Sequence, residues 1–275
     1  MKVAFQGIQG AYSEMALYEH FGKTVETVGC DSFDDVFDMV NKGEVTYGFI
    51  PVENTIAGTV VENYDLLFAN EVFVIAEAYL PIRHTLLAKK GARLEEIKEA
   101  YSHPHALKQC MVYLKSKNIR MAPTYDTAGA AQTVASGNRT DCAAIASERC
   151  AEIYDMDILE KDIQTNNSNT TRFFVIAQKE NVPEDHTTGK TTIAFKTRHY
   201  PGALVDCLKI FQKYKLNLTK LESRPVPENP WEYIFYAAFE AGIDNDDVKA
   251  AIGELTLHAV FVKLLGSYPI ADKCW

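Results

Sequence analysis

Short apolar runs alternate with amphipathic stretches through the first part of the chain. Strands are expected at Lys2–Phe5, Val25–Gly29 and Tyr47–Val52, each followed by helical spacing: from about Tyr12, over Asp34–Val40 and after Gly58. A longer apolar run from Val72 to Leu87 is broken by Pro81. The alternation then resumes as if in a second lobe, with strands at Ala100–Ser102, Ile119–Ala122 and Ala143–Ala146 and helices opening at Pro104 and Asp126. Such a pattern predicts an open α/β sheet built twice, with a cleft between two similar lobes. Past Ile176 the segment from Lys179 to Gly189 is polar and reads as a linker. Beyond it the order is strand (Thr191–Lys196), helix (Pro201–Tyr214), strand (Leu218–Val226), strand (Tyr233–Glu240), helix (Asp244–Glu254) and strand (Ala259–Leu265), a ferredoxin-like βαββαβ unit.

Composition narrows the class. With 275 residues, 47% apolar and 24% charged, the chain is a soluble globular protein long enough for two domains. No apolar stretch near Met1 serves as a signal peptide or membrane span, so a cytoplasmic protein is expected. The six cysteines, Cys30, Cys110, Cys142, Cys150, Cys207 and Cys274, form no Cys-x-x-Cys pair and stand at no zinc-ligand spacing to histidine, so neither metal nor disulfide framework is expected. A net charge of -9 opposes nucleic acid and anionic lipid. An anionic ligand would need a locally built positive field.

Four segments offer one. Gly7-Ile8-Gln9-Gly10-Ala11-Tyr12-Ser13 is a glycine turn between strand and helix; it lacks full dinucleotide-fingerprint spacing and is equally a tight βα turn. Pro51-Val52-Glu53-Asn54-Thr55 ends a strand, with Gly58 at the next helix start, where ligands gather in open sheets; Asn54 and Thr55 also suit a turn and a cap. Ser102-His103-Pro104-His105 opens a helix, with His103 either catalytic or merely packed. Asp126-Thr127-Ala128-Gly129 is an N-cap followed by small residues. Each exposed helix start contributes about 0.3 to 1 kcal/mol toward an anion, so several must converge. The run Asn169-Thr170-Thr171-Arg172-Phe173 adds a hydroxyl and a permanent cation suited to a carboxylate.

Taken in order, these five segments resemble the prephenate dehydratases, whose Asn-x-Thr-Arg-Phe motif matches Asn169–Phe173, and the resemblance covers nearly all of residues 1 to 178. Thr55 stands where the family commonly has serine and His105 where it has glutamine. The resemblance implies a catalytic domain over residues 1–180 of the two-lobed, type II periplasmic-binding-protein-like kind, with lobes 1–80 plus 160–180 and 81–159. It implies decarboxylative dehydration of prephenate to phenylpyruvate, without cofactor or metal, since aromatisation drives the reaction. Thr171 becomes a hydrogen-bond donor to the departing hydroxyl, Arg172 an electrostatic anchor or local scaffold, and Phe173 an apolar wall, with Glu53 or His103 completing a proton relay. Ser13, Asn54, Thr55, Gly58, Ser102, His103, Thr127 and Ala128 become substrate-binding.

Residues 190–270 resemble an ACT domain. Gly202-Ala203-Leu204 and Glu222-Ser223-Arg224-Pro225, with Asn217-Leu218, match its phenylalanine-binding motifs, implying feedback by L-phenylalanine and side-by-side pairing into a homodimer or homotetramer. Without the family these are a helix-start turn and a strand pair on one face. Chorismate mutase fusion is not expected. Two alternatives stand: an arogenate dehydratase, with Asp126 or Glu53 meeting the substrate's ammonium, and a non-enzymatic solute sensor.

Overall fold

The computed structural model describes residues 1–184, 188–226 and 229–271, without the side chains of 229–231. Three positions of the expected linker, 185–187, and Cys274 lie outside the described residues. In chain order the elements are β1 (Lys2–Gln6), α1 (Tyr12–Phe21), β2 (Glu26–Cys30), α2 (Phe33–Asn41), β3 (Tyr47–Asn54), β4 (Gly58–Thr59), α3 (Val61–Ala69), β5 (Val72–Pro81), β6 (Thr85–Lys89), β7 (Glu99–Ser102), α4 (Pro104–Gln109), α5 (Met111–Ser116), β8 (Arg120–Pro123), α6 (Thr127–Ser136), β9 (Cys142–Ala146), α7 (Arg149–Ile153), β10 (Met156–Glu160) and β11 (Thr170–Gln178). There follow β12 (Lys190–Thr197), α8 (Ala203–Lys213), β13 (Leu218–Val226), β14 (Asn229–Phe239), α9 (Asp246–His258) and β15 (Ala259–Tyr268), which keep the βαββαβ order.

The first lobe's strands run β5-β11-β3-β1-β2, with β1 parallel to both β2 and β3 and β11 antiparallel to both β3 and β5. Val3, Ala4 and Phe5 are all buried because helices cover both faces, which is why β1 reads as a continuous apolar run rather than an alternation. Ser32 and Asp35 form a capping box that starts α2, whose Val36, Phe37 and Val40 then pack inward. A second sheet, β10-β6-β9-β7-β8, forms the other lobe. The chain crosses between lobes twice, after β5 and again before β11. No helix among the described residues is long and apolar enough to cross a membrane.

Sequence patterning misses three features. The helix from Pro104 breaks at Cys110, where φ -99 and ψ 6 separate α4 from α5. Strand β10 is an edge strand that leaves Ile158 exposed, so its apolar signal is weak. The third concerns the C-terminal unit, which does not hang from the linker: β15 runs parallel to β5 at Gly266↔Val74 and extends the first lobe's sheet to ten strands. A side chain at Gly266 would put its Cβ 2.2 Å from Val74 O, so the two backbones meet only because this position is glycine. One apolar core consequently runs across the joint, with Tyr64 and Phe174 packed against Tyr236, Leu265 and Tyr268.

Candidate active site

The two lobes enclose a cleft of about 520 Å³. Five helix starts face it, through Ser13 of α1, Phe33 of α2, Glu62 of α3, His103 and His105 beside α4, and Thr127 of α6. Three are already capped by side chains: Ser32 Oγ accepts from Asp35 N, Asp126 Oδ1 accepts from Gly129 N at 2.5 Å, and His103 caps α4. Neither lysine nor arginine is among the described lining residues, so N–H donors and helix dipoles supply the positive field. His103 Nδ1 accepts from His105 N at 3.2 Å and the two rings stack 5.3 Å apart. Burial, with His105 beside it, lowers the His103 pKa, and Asp126 only partly opposes this.

At the floor, β11 pairs with β3 so that Thr171 lies opposite Asn54. Asn54 Oδ1 accepts from Ile56 N at 3.0 Å and Ala57 N at 2.9 Å, two unambiguous backbone donors, and this fixes which end of the amide is nitrogen. Its Nδ2 then donates to Thr171 Oγ1 at 2.9 Å and to Asn169 Oδ1 at 2.8 Å. With an oxygen lone pair of Thr171 engaged, its O–H is left to donate into the cleft. Asn169, 1% exposed, passes the chain on: its Nδ2 donates to Gln109 Oε1 at 3.0 Å, from the opposite lobe.

Strand pleating sorts the Thr-Arg-Phe run. Thr171 and Phe173 line the cleft, while Arg172 points the opposite way and is buried. Its guanidinium lies 2.6 Å from Glu77, donates to Tyr268 Oη at 3.1 Å and sits over the Phe174 ring. Lys190 of β12 contacts the same Glu77 at 3.2 Å. Glu53, also on that face, pairs loosely with Arg172 and with Lys220, each at 3.7 Å. Arg172 is thus a scaffold beneath the site rather than an anchor within it, and Glu53 cannot complete a relay to the cleft.

Four other expected contacts also miss the lining. Thr55 Oγ1 donates to Ser168 O at 2.6 Å and accepts from Thr170 N at 3.0 Å, which holds the turn leading into β11. Gly58 takes φ +86 in the β3–β4 hairpin while its neighbours Ala57 and Val60 face the cleft. Ser102 is fully buried and donates to Ile145 O at 2.6 Å, tying β7 to β9. Ala128 is core beneath α6. Ser13, Asn54, His103 and Thr127 do line it. Tyr12, His84, Gln109 and Asn169 line it too, although sequence reasoning assigned them no role. Gln109 sits one turn past the Ser-His-Pro start and Asn169 heads the Thr-Arg-Phe run, so both had a signal; His84, inside an apolar run, had none.

In the C-terminal unit Gly202, Ala203 and Leu204 border a groove with Thr197–Pro201, Glu232 and Tyr233. Asn217, Leu218 and Glu222–Pro225 do not reach it within one chain. Glu222 and Arg224 instead face the first lobe, Glu222 accepting from Thr59 Oγ1 at 2.8 Å and Arg224 pairing with Asp65 at 2.9 Å. Ser223 and Pro225 are exposed on the other face of β13.

Comparison with known proteins gives this geometry a context. Residues 3–181 match the prephenate dehydratase family model. Over 279 residues the chain is 38% identical to arogenate dehydratase/prephenate dehydratase 2, chloroplastic, of Arabidopsis thaliana, covering 98% of this chain and 73% of the relative. Among solved structures, prephenate dehydratase of Arthrobacter aurescens in complex with L-Phe is 28% identical with a TM-score of 0.91, over 99% of this chain and 91% of the other. GqqA, named as a novel type of quorum quenching acylase, is 27% identical with a TM-score of 0.91, over 99% of both chains.

Proposed function

The chain belongs to the prephenate dehydratase family, and from that premise we propose that its cleft removes carboxylate and hydroxyl from prephenate to release phenylpyruvate, CO2 and water. The observation that carries the reading is the Thr171 hydroxyl, whose oxygen accepts from Asn54 and whose proton is thereby directed outward. Departure of the ring hydroxyl needs a donor fixed in place before charge develops. An aliphatic hydroxyl is too weak an acid to transfer its proton fully, so Thr171 stabilises the leaving oxygen by hydrogen bonding while the proton that completes water comes from solvent. Helix starts and N–H donors hold the carboxylates, and Phe173 supports the ring side. Phenylpyruvate appearing on mixing purified protein with prephenate tests this; no turnover of prephenate or arogenate removes it.

Arogenate is the second reading, favoured by Asp31, Glu62 and Asp126 in a lining without lysine or arginine. Arogenate carries an ammonium where prephenate has a keto group, and Asp31 or Glu62 suits it better than Asp126, whose carboxylate caps α6. Comparing kcat/KM for the two substrates decides between them.

The C-terminal unit is read as a ferredoxin-like ACT domain that binds L-phenylalanine, and the first two lobes as a type II periplasmic-binding-protein-like catalytic domain. Support comes from the βαββαβ order and from the L-Phe complex of the Arthrobacter aurescens relative. Side-by-side pairing of two units would bring Gly202–Leu204 of one chain toward the 217–225 segment of another. Calorimetric titration with L-phenylalanine, with activity followed in parallel, tests this; absence of both binding and inhibition leaves the unit structural.

A further inference from the structure

His84 lies at the first crossing between lobes and is 2% exposed. Its N–H donates to Gln164 Oε1 at 2.8 Å and its carbonyl accepts from Ile163 N at 3.1 Å, so its backbone is bound to the second crossing as well. Nδ1 of the ring is 2.8 Å from Tyr12 Oη, and Nε2 is 2.6 Å from Gln109 Oε1. Burial lowers the His84 pKa, with the Gln109 contact in partial opposition, which favours a neutral ring.

The directions along the amide chain to His84 Nε2 follow from the backbone. Two main-chain N–H groups fix the Asn54 oxygen, so its nitrogen donates to Asn169 Oδ1, and the Asn169 nitrogen donates to Gln109 Oε1. An amide oxygen only accepts, so the His84 nitrogen facing it must carry hydrogen. In a neutral imidazole that leaves Nδ1 an acceptor beside the Tyr12 hydroxyl, whose one proton is shared with Arg83 O at 2.9 Å. With its oxygen held from two sides, the NH2 of Gln109 is turned away from both partners. For a substrate bearing carboxylates that orientation matters, because a flipped amide would present oxygen to an anion.

We propose that His84 is a positioning residue: packed against Tyr12 and donating from Nε2–H, it locks Gln109 with donors toward the substrate and closes, across the two lobes, the hydrogen-bond chain that ends on Thr171. This rests on the dehydratase reading. A glutamine at 84 carries its amide nitrogen about where Nε2 lies, whereas leucine carries none. His84→Leu should raise KM about tenfold, the scale of one hydrogen bond to a charged group, with a smaller change in kcat. His84→Gln should recover most of that loss. In a Gln109→Met background, His84→Leu should add less than about twofold, since residues acting through one another are not additive. Equal losses for the glutamine and leucine variants, or additive losses in the Gln109→Met background, overturn the proposal. Nitrogen-15 NMR of the His84 ring reads the proton position without any turnover: a pyrrole-like Nε2 is expected, and a pyridine-like Nε2 refutes the proposal even if the wild type acts on neither substrate. Failure of the wild type with prephenate and arogenate, with the Nε2–H tautomer present, refutes the dehydratase reading instead.

Discussion

Glu77→Gln isolates the electrostatics beneath the Thr-Arg-Phe strand. Glu77 is fully buried, 2.6 Å from Arg172 and 3.2 Å from Lys190. At an effective dielectric constant of about 20 those contacts correspond to roughly 6 and 5 kcal/mol of attraction. Relief of the carboxylate's own desolvation returns several kcal/mol of this. The net loss expected on neutralising one member of a buried pair is therefore about 3 to 5 kcal/mol. Lys190 also limits the damage. Burial first, and then Arg172, lower its pKa below 10.5 while Glu77 holds it up, so removing the carboxylate lowers it further. Between that depressed value and the ordinary lysine value the unfolded chain binds more protons than the folded one, so stability rises with pH. The defect should accordingly shrink from pH 7 to pH 9, by at most about 1.4 kcal/mol per pH unit for one proton. Urea denaturation followed by far-ultraviolet circular dichroism at both pH values measures it. A loss below about 1 kcal/mol at pH 7, or a defect that grows toward pH 9, would refute the reasoning.

Other outcomes follow from the cleft and the joint. Thr171→Ala should lower kcat about 10²- to 10³-fold with an unchanged melting temperature, and Thr171→Ser should retain part of the rate; near-normal turnover by the alanine variant removes Thr171 from the mechanism. Asn54→Asp turns the donor facing Thr171 into an acceptor, so the hydroxyl proton is drawn away from the cleft. Steady-state kinetics should show kcat falling by at least about tenfold and more than KM rises, and a change confined to KM would contradict the assigned direction. Gly266→Ala forces a Cβ to within 2.2 Å of Val74 O and should cost about 2 kcal/mol or more in chemical denaturation, with faster proteolysis between residues 179 and 189. An unchanged protease pattern and midpoint would show that β15 and β5 yield without parting.

The alternation of apolar runs predicted most elements because β1, β3, β9 and β11 are covered on both faces and α2 carries a capping box. It could not predict the joint between β15 and β5, since a glycine permits a close approach but does not name its partner. Site residues divide by a similar rule. Asn54 and Thr171 were legible from a motif at a strand end, and pairing across β3 and β11 supplied the hydrogen bond between them. Of the two roles read for Arg172, anchor or scaffold, only the scaffold stands, because strand alternation turns it onto the opposite face, toward a carboxylate ninety-odd residues earlier in sequence. His84 was invisible because its partners Tyr12 and Gln109 come from α1 and α4 and meet only when the lobes do.

The ten-stranded sheet has a practical corollary for dissecting the chain. Cutting after residue 180 would remove β15 and open the outer side of Val72–Pro81 at Val74, where the two strands pair. That side would be an apolar template for pairing with another copy. The same cut would strip Lys190 and Tyr268 from around Glu77 and Arg172 and expose a charge cluster that the whole chain keeps buried. A soluble catalytic fragment would need polar substitutions along that edge before its kinetics could be compared with those of the intact chain.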